Sequence, residues 1–223
     1  MKKIFYFPAL LIVLAFVMPL AAKEKPAKNA VLKNIYERRS VRAYEEKGIP
    51  EELVREILKA GVWAPNGMGT EPLRFVVISD RKVLKKYSEL AKKIGLEEMK
   101  KARAAADPSK QGGMDSLIGM LSDPKFELFY GAPVLILVFS VPDAFTPLED
   151  GSLGAENMML AARSLGLGSC WIGFAAGLDN PSTKKELGVP QEYRLIAPLI
   201  FGYPRGGFPE GRRNDPVILK WVK

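Results

Sequence analysis

From Val31 onward the chain alternates between stretches with apolar residues every three or four positions and shorter stretches that are apolar almost throughout. The first helical spacing runs from Asn29 to Arg38. Pro50, with Glu51 and Glu52 beside it, opens a second helix: proline suits a first-turn position where its missing N–H is not needed, and the two carboxylates face the positive end of the helix dipole. Leu53, Ile57, Leu58 and Val62 then share one face, and Trp63-Ala64-Pro65 ends the run. Leu73 to Ile78 (LRFVVI) and Val134 to Phe139 (VLILVF) read as strands, both expected to be central; the second has six apolar residues without a break, which predicts burial on both faces. Between them lie a lysine-rich helix from Arg81 to Ala106 and a stretch with Gly-Gly and Met at Gly112 to Met120. Leu153 to Leu165 (LGAENMMLAARSL) is apolar nearly all round, which predicts a helix packed into the core or against a second subunit and stopped by Gly166 and Gly168. Cys170 to Phe174 and Tyr193 to Phe201 are further strands, Pro198 placing the second at an edge or a bulge, and Val217 to Val222 (VILKWV) is a last short strand or an extended arm. Helices and strands alternate without a strict βαβ rhythm, which predicts a mixed α and β domain.

The N-terminus belongs to another class. Lys2 and Lys3 precede an uncharged apolar run from Ile4 to Ala22 that ends at Lys23, the pattern of an export signal, with Ala21-Ala22 as small residues for cleavage and Leu20 as a departure from the preferred small residue. The run is also about as long as a membrane span needs, so an uncleaved anchor competes with a cleaved signal. The absence of a following cysteine excludes a lipid anchor, and no twin arginine precedes the run. The expected organisation is a signal peptide or membrane anchor at 1–22, a charged, proline-broken linker at 23–28 (KEKPAK) and one domain at 29–223. That places the domain outside the cytoplasm, periplasmic or otherwise extracytoplasmic, or tethers it to a membrane through residues 4–22.

Composition narrows the chemistry. At 223 residues, 48% hydrophobic and 26% charged, the chain can bury a sizeable core. With no histidine and one cysteine, Cys170, it cannot build a Ser-His-Asp triad, a Cys-His pair, a Cys/His zinc site or an intrachain disulfide. Carboxylate, lysine or tyrosine chemistry, oxygen-ligated metals or an organic cofactor remain. The net charge of +8 is interleaved with acidic residues from Lys82 to Lys110, without aromatic-spaced basic runs, so no nucleic-acid partner is expected.

Arginine concentrates at two places, 38–42 and 212–213. In an extended segment Arg38, Ser40 and Arg42 project to one side, and two guanidinium forks with a hydroxyl suit a phosphate; a solvated basic turn is the plainer alternative. Ala64-Pro65-Asn66-Gly67-Met68-Gly69-Thr70-Glu71-Pro72 lets the backbone approach a flat ligand, or is only a helix-to-strand loop. No GxGxxG or GxxxxGK[ST] is present, which excludes Rossmann and Walker readings. Gly166-Leu167-Gly168-Ser169-Cys170-Trp171-Ile172-Gly173-Phe174 and Phe201-Gly202-Tyr203-Pro204 complete the set.

Together and in this order, from about Asn29 to Arg213, these segments resemble the FMN-dependent nitroreductase family. The carriers are Arg38-Arg39-Ser40-Val41-Arg42, Ala64-Pro65 before Pro72, the Asn157-to-Ala162 helix, Trp171-Ile172-Gly173 and Gly202-Tyr203-Pro204. The resemblance implies an α+β sheet-and-helix sandwich, an intertwined homodimer with FMN at the interface, and a C-terminal arm, Val217 to Val222, embracing the partner. It places Arg38, Ser40 and Arg42, with Arg39 beside them, and Arg212 or Arg213 on the flavin phosphate. Backbone N–H groups of Trp171, Ile172 and Gly173 would meet the N5 and O4 edge, and Asn66, Gly67, Gly69 and Glu71 the rest of the ring. The chain departs from the family at Asn66-Gly67 for Ser-Ala, Gly69 for Asn, Glu71 for Gln and Leu73 for Trp, so Asn66 is the substitute for the missing ring-edge amide. A carboxylate at Glu71 turned inward would lower the flavin potential.

The activity so implied takes hydride from NAD(P)H to flavin N5 and on to a nitroaromatic, quinone or similar conjugated acceptor by a ping-pong mechanism, with no catalytic side chain and no metal. Leu117, Met120, Phe126 and Phe129 are acceptor-site candidates in the Lys92–Tyr130 insertion, with core packing as the alternative. Iodotyrosine deiodinases join such a domain to an N-terminal membrane helix, which adds dehalogenation to the implied reactions. An exported or anchored flavoprotein using another donor, a non-catalytic flavin or electron carrier, and a polyanion-binding module are the competing classes.

Overall fold

The computed structural model describes residues 29–223. The signal or anchor segment at 1–22 and the linker at 23–28 lie outside the described residues.

Leu73–Ile78 (β1), Val134–Ser140 (β2), Gly168–Trp171 (β3) and Arg194–Gly202 (β4) form one antiparallel sheet in the order β1-β2-β4-β3. The unbroken apolar run of β2 is accounted for by its place: it is interior and buried at every residue. Alternate side chains go to opposite faces, Leu135, Leu137 and Phe139 to one core and Val134, Ile136 and Val138 to the other. Arg81–Ala105 (α3) and Pro108–Ser122 (α4) cover the first face; Glu51–Val62 (α2) and Pro147–Ser164 (α5) cover the second.

Several expected elements differ in extent or position. β1 is an edge strand, not a central one, so Arg74 and Val77 on it reach solvent. β4 is interior despite Pro198, and the ladder accommodates it by a bulge: Val138 pairs with Ala197 and Phe139 with Leu195, leaving Ile196 unpaired. The strand expected at 170–174 ends at Trp171, and residues 173–178 wind into a 3₁₀ segment before Pro181–Leu187 (α6). The Gly-Gly stretch lies inside α4, started by Asp107, whose carboxylate accepts from Ser109 N–H at 2.9 Å, and by Pro108 in the first turn. α5 begins at Pro147, earlier than the apolar pattern, because Glu149 and Asp150 occupy its first turn.

Helices α2 and α5 touch through glycine. A Cβ on Gly154 would lie 2.5 Å from Leu73 Cδ1 and 3.3 Å from Gly61 O, and one on Gly61 would lie 2.8 Å from Met158 Cγ. This contact sets the loop leaving α2 beside the start of α5. Ala30–Glu37 (α1) buries no residue, and Val217–Val222 has no strand partner among the described residues, so of the short strand or extended arm expected there it is the arm. No described helix is long and apolar enough to cross a membrane.

Candidate functional site

After α1 the backbone turns extended at Arg38 and is stitched along the sheet. Val41 N–H donates to Ser169 O at 2.9 Å on β3; Glu45 N–H donates to Tyr203 O at 2.9 Å and Arg205 N–H to Ala43 O at 3.0 Å beyond β4. Two buried side chains anchor the segment. Val41 sits against Gly168, where any Cβ would come within 2.7 Å of it, and Tyr44 donates its hydroxyl to Val41 O at 2.8 Å. Burial drives the Tyr44 hydroxyl far above the ordinary tyrosine range, with Cys170 adding to the shift.

These anchors hold Arg39, Ser40 and Arg42 in the lining of a cavity of about 710 Å³ that Arg205, Arg212 and Arg213 also line. Glu210 is the single carboxylate in that lining. Arg39 is fixed by its own backbone surroundings: Nη1 donates to Tyr36 O at 2.5 Å and to Arg38 O at 2.8 Å, while its buried Nε has no partner. Gly211 lies so close to that guanidinium that a Cβ would fall 2.1 Å from Nε. An unsatisfied buried N–H in a cavity lined by five arginines calls for an anion. Arg38 is not part of that lining; its Nε lies 3.4 Å from Glu156 on α5.

Three further residues belong to this place and were not singled out in the sequence as binding residues. Arg205 follows Gly202-Tyr203-Pro204 directly, so its signal was adjacency to that motif. Cys170 is buried, and burial raises its thiol pKa while Arg42, Ser40 and Arg38 pull it back. Tyr130 takes a left-handed φ of 54° and sets its ring edge-on to Phe126 at 5.6 Å. Its hydroxyl pKa is raised by burial and lowered by Arg42. Neither Tyr130 nor Cys170 carried a pattern that could have announced it.

The loop between α2 and β1 is braced from within and from α5. Asn66 Oδ1 accepts from Glu71 N–H at 2.9 Å and its Nδ2 donates to Ala64 O at 3.5 Å, so the amide expected at the ring edge is engaged in the loop itself. Gly67 N–H donates to Asp150 Oδ1 at 2.9 Å, and Thr146 Oγ1 donates to the same oxygen at 2.8 Å. Asp150 is 2% exposed and its Oδ2 has no partner. Met68 (φ 58°) and Glu71 (φ 47°) are held left-handed, with Gly69 (φ 65°) between them. Glu71 is exposed in the single chain and lines a small cavity with Asn66, Pro72 and Arg74.

At 171–173 the three backbone donors separate. Ile172 N–H is used by Pro198 O at 2.9 Å, and Trp171 stands opposite Leu199 of β4 at a position whose N–H points away from that strand. Gly173 opens the 3₁₀ segment with an N–H that meets no acceptor among the described residues. The insertion candidates divide too: Phe129 is 3% exposed in the core, Met120 and Phe126 pack against the same cluster, and Leu117 stays at the surface. None of the four lines the arginine cavity. Among the described residues no group of histidine, cysteine, aspartate or glutamate is arranged to hold a metal.

Known proteins match this chain along nearly the whole described domain. Residues 35–203 fit the sequence profile described as the nitroreductase family. A protein of Archaeoglobus fulgidus assigned the name NADH dehydrogenase/NAD(P)H nitroreductase is 34% identical over 175 residues, covering 78% of this chain and 85% of its own length. The iodotyrosine deiodinase of Thermotoga neapolitana is 27% identical over 188 residues, 81% of this chain and 92% of its own. The crystal structure of a nitroreductase with bound FMN from Bacteroides fragilis superposes with a TM-score of 0.70 at 29% identity, over 87% of this chain and 98% of that one. The match at 35–203 takes in the stitched arginine segment, the braced loop and the β3 edge alike, and the chain belongs to the nitroreductase family.

Proposed function

We propose that this protein is an FMN-dependent oxidoreductase that carries electrons from NAD(P)H to a nitroaromatic, quinone or similar conjugated acceptor. The observation that carries this is the arginine-lined cavity with the unsatisfied Arg39 Nε, set beside a braced glycine loop in a chain of this family. The donor set fits the flavin phosphate: Arg39, Ser40, Arg42, Arg212 and Arg213 line one cavity. When bound, FMN supplies two-electron chemistry at N5, which is why the chain needs no histidine or other general base.

The side chains and backbone do the rest. Gly173 N–H, with the outward N–H of Trp171, is a free donor for the ring's N5 and O4 edge, and the loop at 66–71 would offer its backbone to the ring. Donor and acceptor use the same pocket in turn, one leaving before the other enters. The acceptor range includes an aryl halide, as for the deiodinase relative.

The working form is a homodimer. Val31, Leu32, Ile35 and Tyr36 on α1, Trp63, Met68 and Phe145 beside the loop, and Val217, Leu219 and Trp221 on the arm are all exposed in the single chain, an apolar area that a second copy would bury. The domain works after export or on an uncleaved N-terminal anchor.

Three readouts test this. The purified chain is expected to be yellow, to bleach on anaerobic addition of NADH or NADPH, and to recover its colour when a nitroaromatic or quinone is added. A protein that stays colourless after reconstitution with FMN refutes it; a flavin band that neither nucleotide bleaches identifies a flavoprotein with another donor.

A further inference from the structure

A second cavity, of about 210 Å³, opens between the first turns of α3 and the turn that leads into β2, and it shares no lining residue with the arginine cavity. Its floor is buried and apolar, formed by Leu84, Phe129, Ala132 and Pro133, with one exception. Ser88 is 5% exposed, and its Oγ meets no hydrogen-bond partner among the described residues. A serine inside a helix commonly returns its hydroxyl to the carbonyl one turn back, and this one does not. A buried hydroxyl left without a partner opposes folding, where alanine would fill the same place without that cost.

The rim carries both signs of charge. Arg81 and Lys85 lie one turn apart on α3, on the face that Ser88 continues, and Glu127 comes from the turn before β2. The Glu127 carboxylate lies over that turn, its Oε2 3.9 Å from where a Cβ on Gly131 would be. Glu89 on the same rim is paired with Lys92 at 3.8 Å, whereas Arg81, Lys85 and Glu127 take part in no ion pair among the described residues. Two free cations, one free carboxylate and an unpartnered hydroxyl thus border one apolar floor, the few polar groups on an apolar lining that mark a small-molecule site.

We propose that this cavity binds a free α-amino acid with a small apolar side chain. Arg81, Lys85 and the Ser88 hydroxyl take its carboxylate, Glu127 takes its ammonium group, and the apolar floor receives the side chain. A simple anion would leave Glu127 unpaired beside it, and a simple amine would meet two cations; a ligand with both charges on neighbouring atoms answers each group on the rim. The space is that of about seven water molecules, which suits an amino acid with a short branched side chain and excludes a nucleotide or a flavin. The site stands independently of the flavin function proposed above, because its residues and its test involve binding alone.

The test is calorimetry on the protein as purified, with three probes: L-valine, isovalerate, which lacks the ammonium group, and isobutylamine, which lacks the carboxylate. The parent is expected to bind L-valine at least roughly tenfold more tightly than either of the others. Ser88→Ala should lose roughly fivefold or more of the L-valine affinity while melting no lower than the parent, since alanine removes only an oxygen that has no partner in the fold. Glu127→Gln should bring L-valine down to the level of isovalerate. A parent that binds no L-valine overturns the proposal, and so does one that binds isovalerate or isobutylamine equally well. An L-valine affinity left unchanged by either substitution would place the ligand elsewhere and overturn it too.

Discussion

Asp150 is where the packing of α5 and the shape of the cofactor loop meet, so Asp150→Ala tests both. The carboxylate accepts from Gly67 N–H at 2.9 Å and from Thr146 Oγ1 at 2.8 Å, and hydrogen bonds to a charged group contribute about 1.5–3 kcal/mol each. Against this stands the cost of an unpaired buried oxygen, Oδ2, of about 1–3 kcal/mol, which alanine relieves. The net loss is about 1–3 kcal/mol, a fall in Tm of roughly 2–10 °C for a domain of this size. The loop changes more than the fold does. Met68 and Glu71 are held left-handed at about 1 kcal/mol each, and without the tie at Gly67 the loop relaxes to ordinary backbone. Flavin binding must then restore both, which weakens FMN by roughly 30-fold.

Thermal melting and FMN titration of the flavin-free protein, followed by quenching of flavin fluorescence, measure the two effects separately. Asp150→Asn keeps an acceptor oxygen for Gly67 and Thr146 and should hold FMN within a few-fold of the parent while losing some stability. An Asp150→Ala protein that melts lower yet binds FMN like the parent would show that the loop does not need the tie. An Asn variant as weak as the Ala variant would show that the charge, and not the hydrogen bonds, was responsible.

Other expectations follow from the same structure. Gly67→Ala would bring a Cβ within 2.4 Å of Thr146 Oγ1, so it should weaken FMN on its own, and Thr146→Ala in the same chain should recover most of the loss by removing the obstructing oxygen; a titration without recovery would place the clash elsewhere. Gly154→Ala should cost about 1–3 kcal/mol by forcing α5 away from Leu73 and Gly61, read as a lower denaturation midpoint with an unchanged slope. Tyr44 and Cys170 both have raised pKa values in the fold, mainly through burial, so the folded protein binds their protons more tightly than the unfolded chain does; the stability they contribute is complete below their ordinary values of 10.0 and 9.0 and drains away as pH rises past them. Tm measured across this range should therefore fall on the alkaline side, and Tyr44→Phe should fall less steeply from a start lowered by about 1 kcal/mol for the lost bond to Val41 O. Removing residues 214–223 should give a monomer by light scattering that retains little FMN; a dimer of full flavin content would exclude the arm from both roles.

What the sequence made legible was whatever repeats with a period or fixes a backbone conformation. The buried run at 134–139 could only be an interior strand, and Pro50-Glu51-Glu52 could only start a helix. The apolar pattern missed the first turn of α5 because that turn is selected by charge and proline. The edge position of β1 was hidden because Leu73, Phe75 and Val76 look like a central strand, and only the sheet order decides which strand has a neighbour on both sides. The arginine segment was readable as an anion site, yet what it is stitched to was not. That stitching depends on hydrogen bonds from Val41 to Ser169 and from Arg205 to Ala43, which join segments more than a hundred residues apart.

The departures in the loop after α2 have a common physical explanation once those long-range partners are known. The Asn66 oxygen is bonded to Glu71 N–H, five residues on, which leaves the amide N–H groups as what this side chain can offer a ring. That bond closes the loop on itself, which forces left-handed backbone at Met68 and Glu71 and makes glycine the residue of least strain at position 69. Gly67 must in turn lack a side chain because Thr146 stands where its Cβ would be, and Thr146 stands there because it shares Asp150 with the Gly67 N–H. A loop tied in this way offers mainly backbone to whatever lies against it. On the proposed flavin reading, recognition of the ring would fall largely to main-chain groups such as the Gly173 N–H, and recognition of the charged end to the arginines. Substitutions in the loop should consequently change how rigidly the ring is held, and substitutions among the arginines how strongly the cofactor is retained.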